Sequence, residues 1–92
     1  MDGISVLLSA YYQTRSSDVA ACLNSILNQT IAAKETVFLF DGPVLESVVS
    51  VVESYRNLLA VKLLKFDKQR GLGPVLRDGM LACKYDLVAR VD

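Results

Sequence analysis

The chain has 92 residues, 52% of them hydrophobic, with ten basic and ten acidic side chains in balance and no histidine. This composition excludes a disordered chain, gives no support for a nucleic-acid partner, and rules out Ser-His, Cys-His and His-zinc chemistry within these residues. No apolar run approaches the ~18 residues of a membrane span, and Met1-Asp-Gly-Ile4 lacks the basic and apolar regions of a signal peptide. Cys22 and Cys83 are isolated on expected helices, which suits reduced core thiols and a cytoplasmic location.

Ile4 to Ser9 is a near-continuous apolar run, the kind buried on both faces of a parallel sheet. Ala10 to Arg15 reads as a loop. Ser16 or Ser17 can cap a helix in which Val19, Cys22, Leu23, Ile26 and Leu27 recur at helical spacing, ended by Asn28-Gln-Thr30. A second strand follows over Thr36 to Phe40 and stops at Asp41-Gly42. Pro43 is placed to open the next helix, whose expected apolar face is Leu45, Val48, Val49 and Val52. Valine is a poor helix former, so packing has to decide that segment. Val61 to Phe66 is a third strand, mixed enough to be an edge, and Asp67 to Gly73 is a charged, glycine-containing loop. Pro74 opens a third helix carrying Val75, Leu76, Met80 and Cys83, which runs into a last strand over Leu87 to Val91.

The order β-α-β-α-β-α-β, with connections long enough for parallel crossovers, predicts a Rossmann-like three-layer α/β sandwich. A sheet that winds one way and then back has the strand order 3-2-1-4. Its ligand crevice then lies between strands one and four, outside their carboxyl ends. Ser9, Ala10 and Tyr11 would face Asp92 across that crevice, with Asp41 beside them. Taken singly, each of these has a plainer reading. Asp41-Gly-Pro is a turn, Tyr11 and Tyr12 can pack at a sheet edge, and Arg15, Arg70 and Arg77 are ordinary solvated cations. Gly71-Leu-Gly73 lacks the third glycine of a dinucleotide fingerprint and the Gly-Lys-Ser/Thr of a P-loop.

The ordered series carries more than any one piece. Ile4-Ser-Val-Leu-Leu-Ser-Ala-Tyr-Tyr12, Ser25-Ile-Leu-Asn-Gln-Thr30, Phe40-Asp-Gly42, Arg70-Gly-Leu-Gly73 and Ala82 to Asp92 resemble the N-terminal half of family 2 glycosyltransferases in order and spacing. These are inverting GT-A enzymes that move a sugar from a nucleotide-sugar donor. The resemblance implies that Ser9, Ala10 and Tyr11 line a nucleoside pocket and that Asp41 accepts hydrogen bonds from the base. It implies that Gly71 and Gly73 lie in a loop passing close to the nucleotide. Asp92 resembles the first acid of the DxD-type motif, which touches ribose and a diphosphate-bound magnesium or manganese ion. Two departures stand out. Phe40 replaces one of two acids common after the second strand, and Val75-Leu76-Arg77 stands where Ala-Arg-Asn is common, which puts that arginine's role in doubt.

The expectation is therefore that residues 1–92 are the nucleotide-binding part of a GT-A domain, a fragment whose second motif acid and catalytic base lie downstream of Asp92. The donor implied is a UDP-sugar, and the acceptor a saccharide or lipid-linked sugar of bacterial surface-polysaccharide synthesis, reached from the inner face of the membrane. The rival is a non-enzymatic receiver-like or flavodoxin-like module, but Ser9-Ala10-Tyr11 supplies none of the paired acids a receiver needs. A last strand exposed at the sheet edge would also invite pairing with a second copy, giving a homo-oligomer.

Overall fold

The computed structural model describes residues 3–29, 33–85 and 87–91. Its elements are β1 (Ile4–Ala10), α1 (Ser16–Leu27), β2 (Glu35–Phe40), α2 (Glu46–Tyr55), β3 (Val61–Lys65), α3 (Leu72–Ala82) and β4 (Leu87–Arg90). All strand pairs are parallel and their order is β3-β2-β1-β4, as the doubly wound reading predicts. β2 lies inside the sheet and every one of its six residues is buried. A strand covered on both faces has no polar side to alternate with, which is why Val37 to Phe40 reads as one apolar run.

Alternation along the strands sends side chains into two cores. Val6, Leu8, Phe38 and Phe40 meet Val19, Leu23 and Ile26 of α1 and Val48 and Val52 of α2. Leu7, Val37 and Leu39 meet Val75 of α3 on the opposite face. The molecule is thus a three-layer sandwich, with two helices on one face and one on the other. α2 is the case that packing decides: Val48 and Val52 are 0% and 1% exposed. Each buried valine contributes about 1.5–3 kcal/mol, which outweighs the ~0.5 kcal/mol or so of unfavourable helix propensity per residue.

The helix starts differ from the sequence reading. Neither Ser16 nor Ser17 caps α1: Arg15 holds the N-cap position, with no side-chain hydrogen bond there. Pro43 does not open α2, which begins at Glu46 behind a Leu45 N-cap. Gly42 has φ 80°, so the chain makes a turn there, and the helix axis is set only after that turn. Leu45 is accordingly half-exposed and leaves the apolar face to the valines. α3 begins at Leu72, two residues before Pro74, with Gly71 as its N-cap residue. Proline is tolerated that early because first-turn N–H groups have no intrahelical partner. Met80 is exposed, and Gly79 takes the buried place beside the sheet. Cys22 and Cys83 are half-buried rather than fully in the core. Burial and the nearby Glu35 charge raise the Cys83 thiol above its ordinary value, so it stays protonated.

A buried polar cluster fixes the amino end of the sheet. The Glu35 carboxylate accepts hydrogen bonds from Ser5 Oγ at 2.6 Å and from the Lys84 N–H, and Tyr85 N–H donates to Ser5 Oγ at 3.3 Å. These bonds tie β2 and β1 to the segment that delivers β4. Burial disfavours the charged carboxylate, but the Ser5 hydroxyl, the Lys84 N–H and the Lys62 and Lys84 cations outweigh it and hold its pKa below the ordinary 4.5. A depressed folded pKa means that this contribution is present above about pH 4.5 and is lost as pH falls through the folded value. Stability measured by urea unfolding should therefore fall on acidification below pH 4.5 in the parent, and more gently in Glu35→Gln. Parallel acid limbs for the two proteins would show that Glu35 is not the group responsible.

Candidate functional site

The carboxyl ends of β1, β2 and β4 and the loop after β3 surround a cleft of about 310 Å³. Its walls include Ser9, Ala10, Tyr11, Asp41 and Gly71. Five of the seven expected site residues are thus brought together by the reversal of strand order, which leaves room above β1. Gly73, in the first turn of α3, is not among the lining residues. Asp92, the candidate metal and ribose ligand, lies outside the described residues.

The β1 loop is built locally. Tyr11 N–H donates to Thr14 Oγ1 at 3.0 Å, and Thr14 N–H donates back to the Tyr11 carbonyl at 3.1 Å. This small closed turn presents Tyr11 at the cleft, with its ring edge-to-face with Tyr12 at 5.5 Å between centroids. Tyr11 is 39% exposed, an apolar surface of the size and shape that takes a planar ring.

Asp41 is 6% exposed, and its carboxylate does structural work. Oδ1 accepts from the Arg70 N–H at 2.7 Å, and Oδ2 accepts from the Gly71 N–H at 3.1 Å. The carboxylate thereby spans from the end of β2 to the loop after β3. Gly42 allows that loop to come close. A Cβ at Gly42 would lie 2.7 Å from the Gln69 nitrogen, and the backbone there already has φ 80°. An ionised carboxylate offers about four lone-pair sites, so two N–H partners leave acceptor capacity facing the cleft.

Arg70 is turned away from the cleft. Its guanidinium pairs with Asp78 at 2.7 Å and lies 5.2 Å from the centre of the Phe66 ring. Sequence reasoning passed over Thr14, Gln69, Leu72, Leu76, Arg90 and Val91, which also line the cleft. Arg90 had a readable signal, since it stands two residues before a strand-end carboxylate. Gln69 and Leu76 had none, because their places depend on how the β3–α3 loop folds over Gly42. A second hollow of about 540 Å³ lies on the α1 side, lined mostly by apolar groups such as Leu8, Val19 and Phe38. It is the larger of the two, but the strand-end acid and base are in the smaller one. Among the described residues no three metal-ligating side chains converge.

The match to known proteins agrees with this architecture. The family model Glycosyl transferase family 2 matches residues 5–92. The chain is 39% identical over 88 residues to an amylovoran biosynthesis glycosyltransferase, AmsE, from Erwinia amylovora, covering 96% of this chain and 33% of that protein. It is 35% identical over 88 residues to a UDP-Gal:alpha-D-GlcNAc-diphosphoundecaprenol beta-1,3-galactosyltransferase from Escherichia coli, covering 96% of this chain and 32% of that one. Among solved structures, S. aureus TarS superposes with a TM-score of 0.81 at 24% identity, over 99% of this chain and 16% of TarS. A mannosyltransferase from Pyrobaculum calidifontis, in complex with GDP-Man and Mn2+, superposes with a TM-score of 0.78 at 18% identity, over 92% of this chain and 25% of that one. Those two likenesses bear on the fold. The chain spans about a third of the length of the curated relatives it matches. A family model matching nearly every residue, on a sheet wound 3-2-1-4 with its cleft at the strand ends, makes the chain a member of glycosyl transferase family 2.

Proposed function

We propose that the chain binds the nucleotide of a nucleotide-sugar donor in the strand-end cleft. The observation that carries this reading is the buried Asp41 carboxylate in the cleft wall, which keeps acceptor capacity after holding two N–H groups. Asp41 receives the N–H of the base, and Ser9, Ala10 and Tyr11 form the floor and side on which the nucleoside lies. Gly71 lets the loop backbone come close, with nothing within 4 Å of where its Cβ would be, and Gly73 is equally open. The nucleotide is UDP. A uracil N–H suits an acceptor-only carboxylate, and one relative carries UDP-Gal in its name.

In the whole protein the reaction is an inverting transfer to a saccharide or lipid-linked acceptor in surface-polysaccharide synthesis, at the cytoplasmic face of the membrane. In support, one relative is named for amylovoran biosynthesis and another for galactosyl transfer to a diphosphoundecaprenol-linked sugar. A downstream base takes the acceptor's proton. Asp92 belongs to the set that would hold magnesium or manganese, which when bound offsets the charge on the diphosphate.

Ligand-observed NMR tests the pocket. UDP should bind with a Kd on the order of millimolar. Asp41→Ala should abolish that binding and Asp67→Ala should leave it intact. Equal binding by both variants would take Asp41 out of the site.

We further propose association through β4. Its outer edge has no strand partner among the described residues, and Leu87 is 64% exposed there. Such an edge offers unpaired N–H and C=O groups to a second copy. Sedimentation at high micromolar concentration should show a dimer or larger species, and Val88→Lys should shift it toward monomer or, because Val88 packs against the α3-side core, unfold it. A monomeric parent would rule this contact out.

A further inference from the structure

We propose that Arg90 is the anion contact of the cleft and takes the diphosphate of the bound nucleotide, an assignment that rests on the nucleotide reading above. Arg90 is the only basic side chain among the described residues that line the cleft. It is exposed, at the end of β4, in register with Leu7 of β1. Leu7 packs toward α3, so parallel pairing puts Arg90 on that same face of the sheet. The cation that might have competed is engaged elsewhere, because Arg70 is paired with Asp78 over Phe66. The two helix residues that line the cleft, Leu72 and Leu76, have no charge to offer.

The separation fits the ligand. Asp41 follows β2 and Arg90 ends β4, with β1 between them. Arg90 is level with Leu7 and Asp41 lies one residue beyond the Ala10–Phe40 pair, so two inter-strand spacings across and about four residues along put the two backbones about 16 Å apart. The long arginine stem spans part of that distance, and both residues line the one cleft, so a base held at Asp41 brings its diphosphate toward the Arg90 guanidinium. The opposite polarity is disfavoured, because a diphosphate beside the buried Asp41 carboxylate would meet a like charge. Arg90 already takes part in an interaction within the chain. Its guanidinium carries five N–H donors in a planar fork, enough to serve a phosphate as well.

The test compares uridine, UDP and inorganic pyrophosphate by ligand-observed NMR on the parent chain, Arg90→Gln and Arg90→Lys, with thermal melts to confirm folding. The parent should bind UDP about tenfold more tightly than uridine, as a charge-assisted phosphate contact implies. Arg90→Gln should bring UDP down to the level of uridine, abolish pyrophosphate binding and leave uridine within about twofold, because only the phosphate contact is removed. Arg90→Lys should keep part of the difference, since it retains the charge and loses the fork. If Arg90→Gln fails to fold, Arg90→Lys decides: UDP and pyrophosphate binding equal to the parent would overturn the proposal. Parent-like UDP and pyrophosphate binding by a folded Arg90→Gln would overturn it too, as would no pyrophosphate or UDP binding by the parent. Pyrophosphate binding that depends on Arg90, with no binding of uridine, would support the anion contact and reject the nucleoside reading instead.

Discussion

Replacing Gly42 with alanine should lower stability by about 3 kcal/mol and unseat the loop that walls the cleft. Two costs add. A non-glycine residue in the left-handed region at φ 80° costs about 1–2 kcal/mol. The new methyl would also lie 2.7 Å from the Gln69 nitrogen and 3.1 Å from its Cα, and these are backbone atoms that move only if the loop moves. A displaced loop withdraws the Arg70 and Gly71 N–H groups from Asp41, and hydrogen bonds to a charged acceptor contribute about 1.5–3 kcal/mol each. Part of that loss returns as water replaces the lost donors. Amide exchange at Arg70 and Gly71 should accelerate together with the fall in urea midpoint, and UDP binding should vanish in parallel. An unchanged midpoint with slow exchange at both amides would mean that the turn and the loop are not coupled as drawn.

Leu39→Ala should cost about 3 kcal/mol, within the 2–5 kcal/mol usual for a buried leucine. Leu39 is 0% exposed and packs on the α3 side of the sheet. Domains of this size have only about 5 kcal/mol in total, so the variant should keep about 2 kcal/mol and unfold at a much lower urea concentration than the parent. A companion change reports on the helix–sheet spacing. A Cβ at Gly79 would meet Leu7 Cδ1 at 2.7 Å and Leu39 Cδ1 at 2.8 Å, so the glycine sets how near α3 lies to the sheet. Gly79→Ala alone should destabilise by about 1 kcal/mol, overpacking outweighing the gain in helix propensity. In the Leu39→Ala background part of the clash is gone, and the same change should be close to neutral. The Leu7 contact persists, so full relief is not expected. A double-mutant cycle by urea unfolding should give a coupling of about 1 kcal/mol. Strict additivity would place Gly79 and Leu39 farther apart than the structure has them.

The sequence by itself determined the sheet. β1 and β2 carry the apolar runs Val6 to Leu8 and Val37 to Phe40, and between them the helical spacing of Val19, Leu23 and Ile26 marks a crossover helix. A buried strand needs apolar side chains on both faces, so its burial is written residue by residue. The order 3-2-1-4 followed from topology rules that depend on chain length and handedness rather than on particular side chains. Ser9, Ala10, Tyr11, Asp41 and Gly71 could be placed in one cleft for the same reason, as they sit at strand ends.

Tertiary structure alone decided the helix starts and the partners of Asp41. Capping is a local preference of about 1 kcal/mol, and the turn at Gly42 and the docking of Gly79 on the sheet override it. Ser16, Ser17, Pro43 and Pro74 were therefore misleading markers of where helices begin. The two N–H groups on Asp41 come from residues 29 and 30 positions away. No local pattern encodes such a contact. It exists because β3 pairs beside β2, so the loop that leaves β3 must pass over Gly42, the one place where a missing Cβ lets it descend onto the carboxylate.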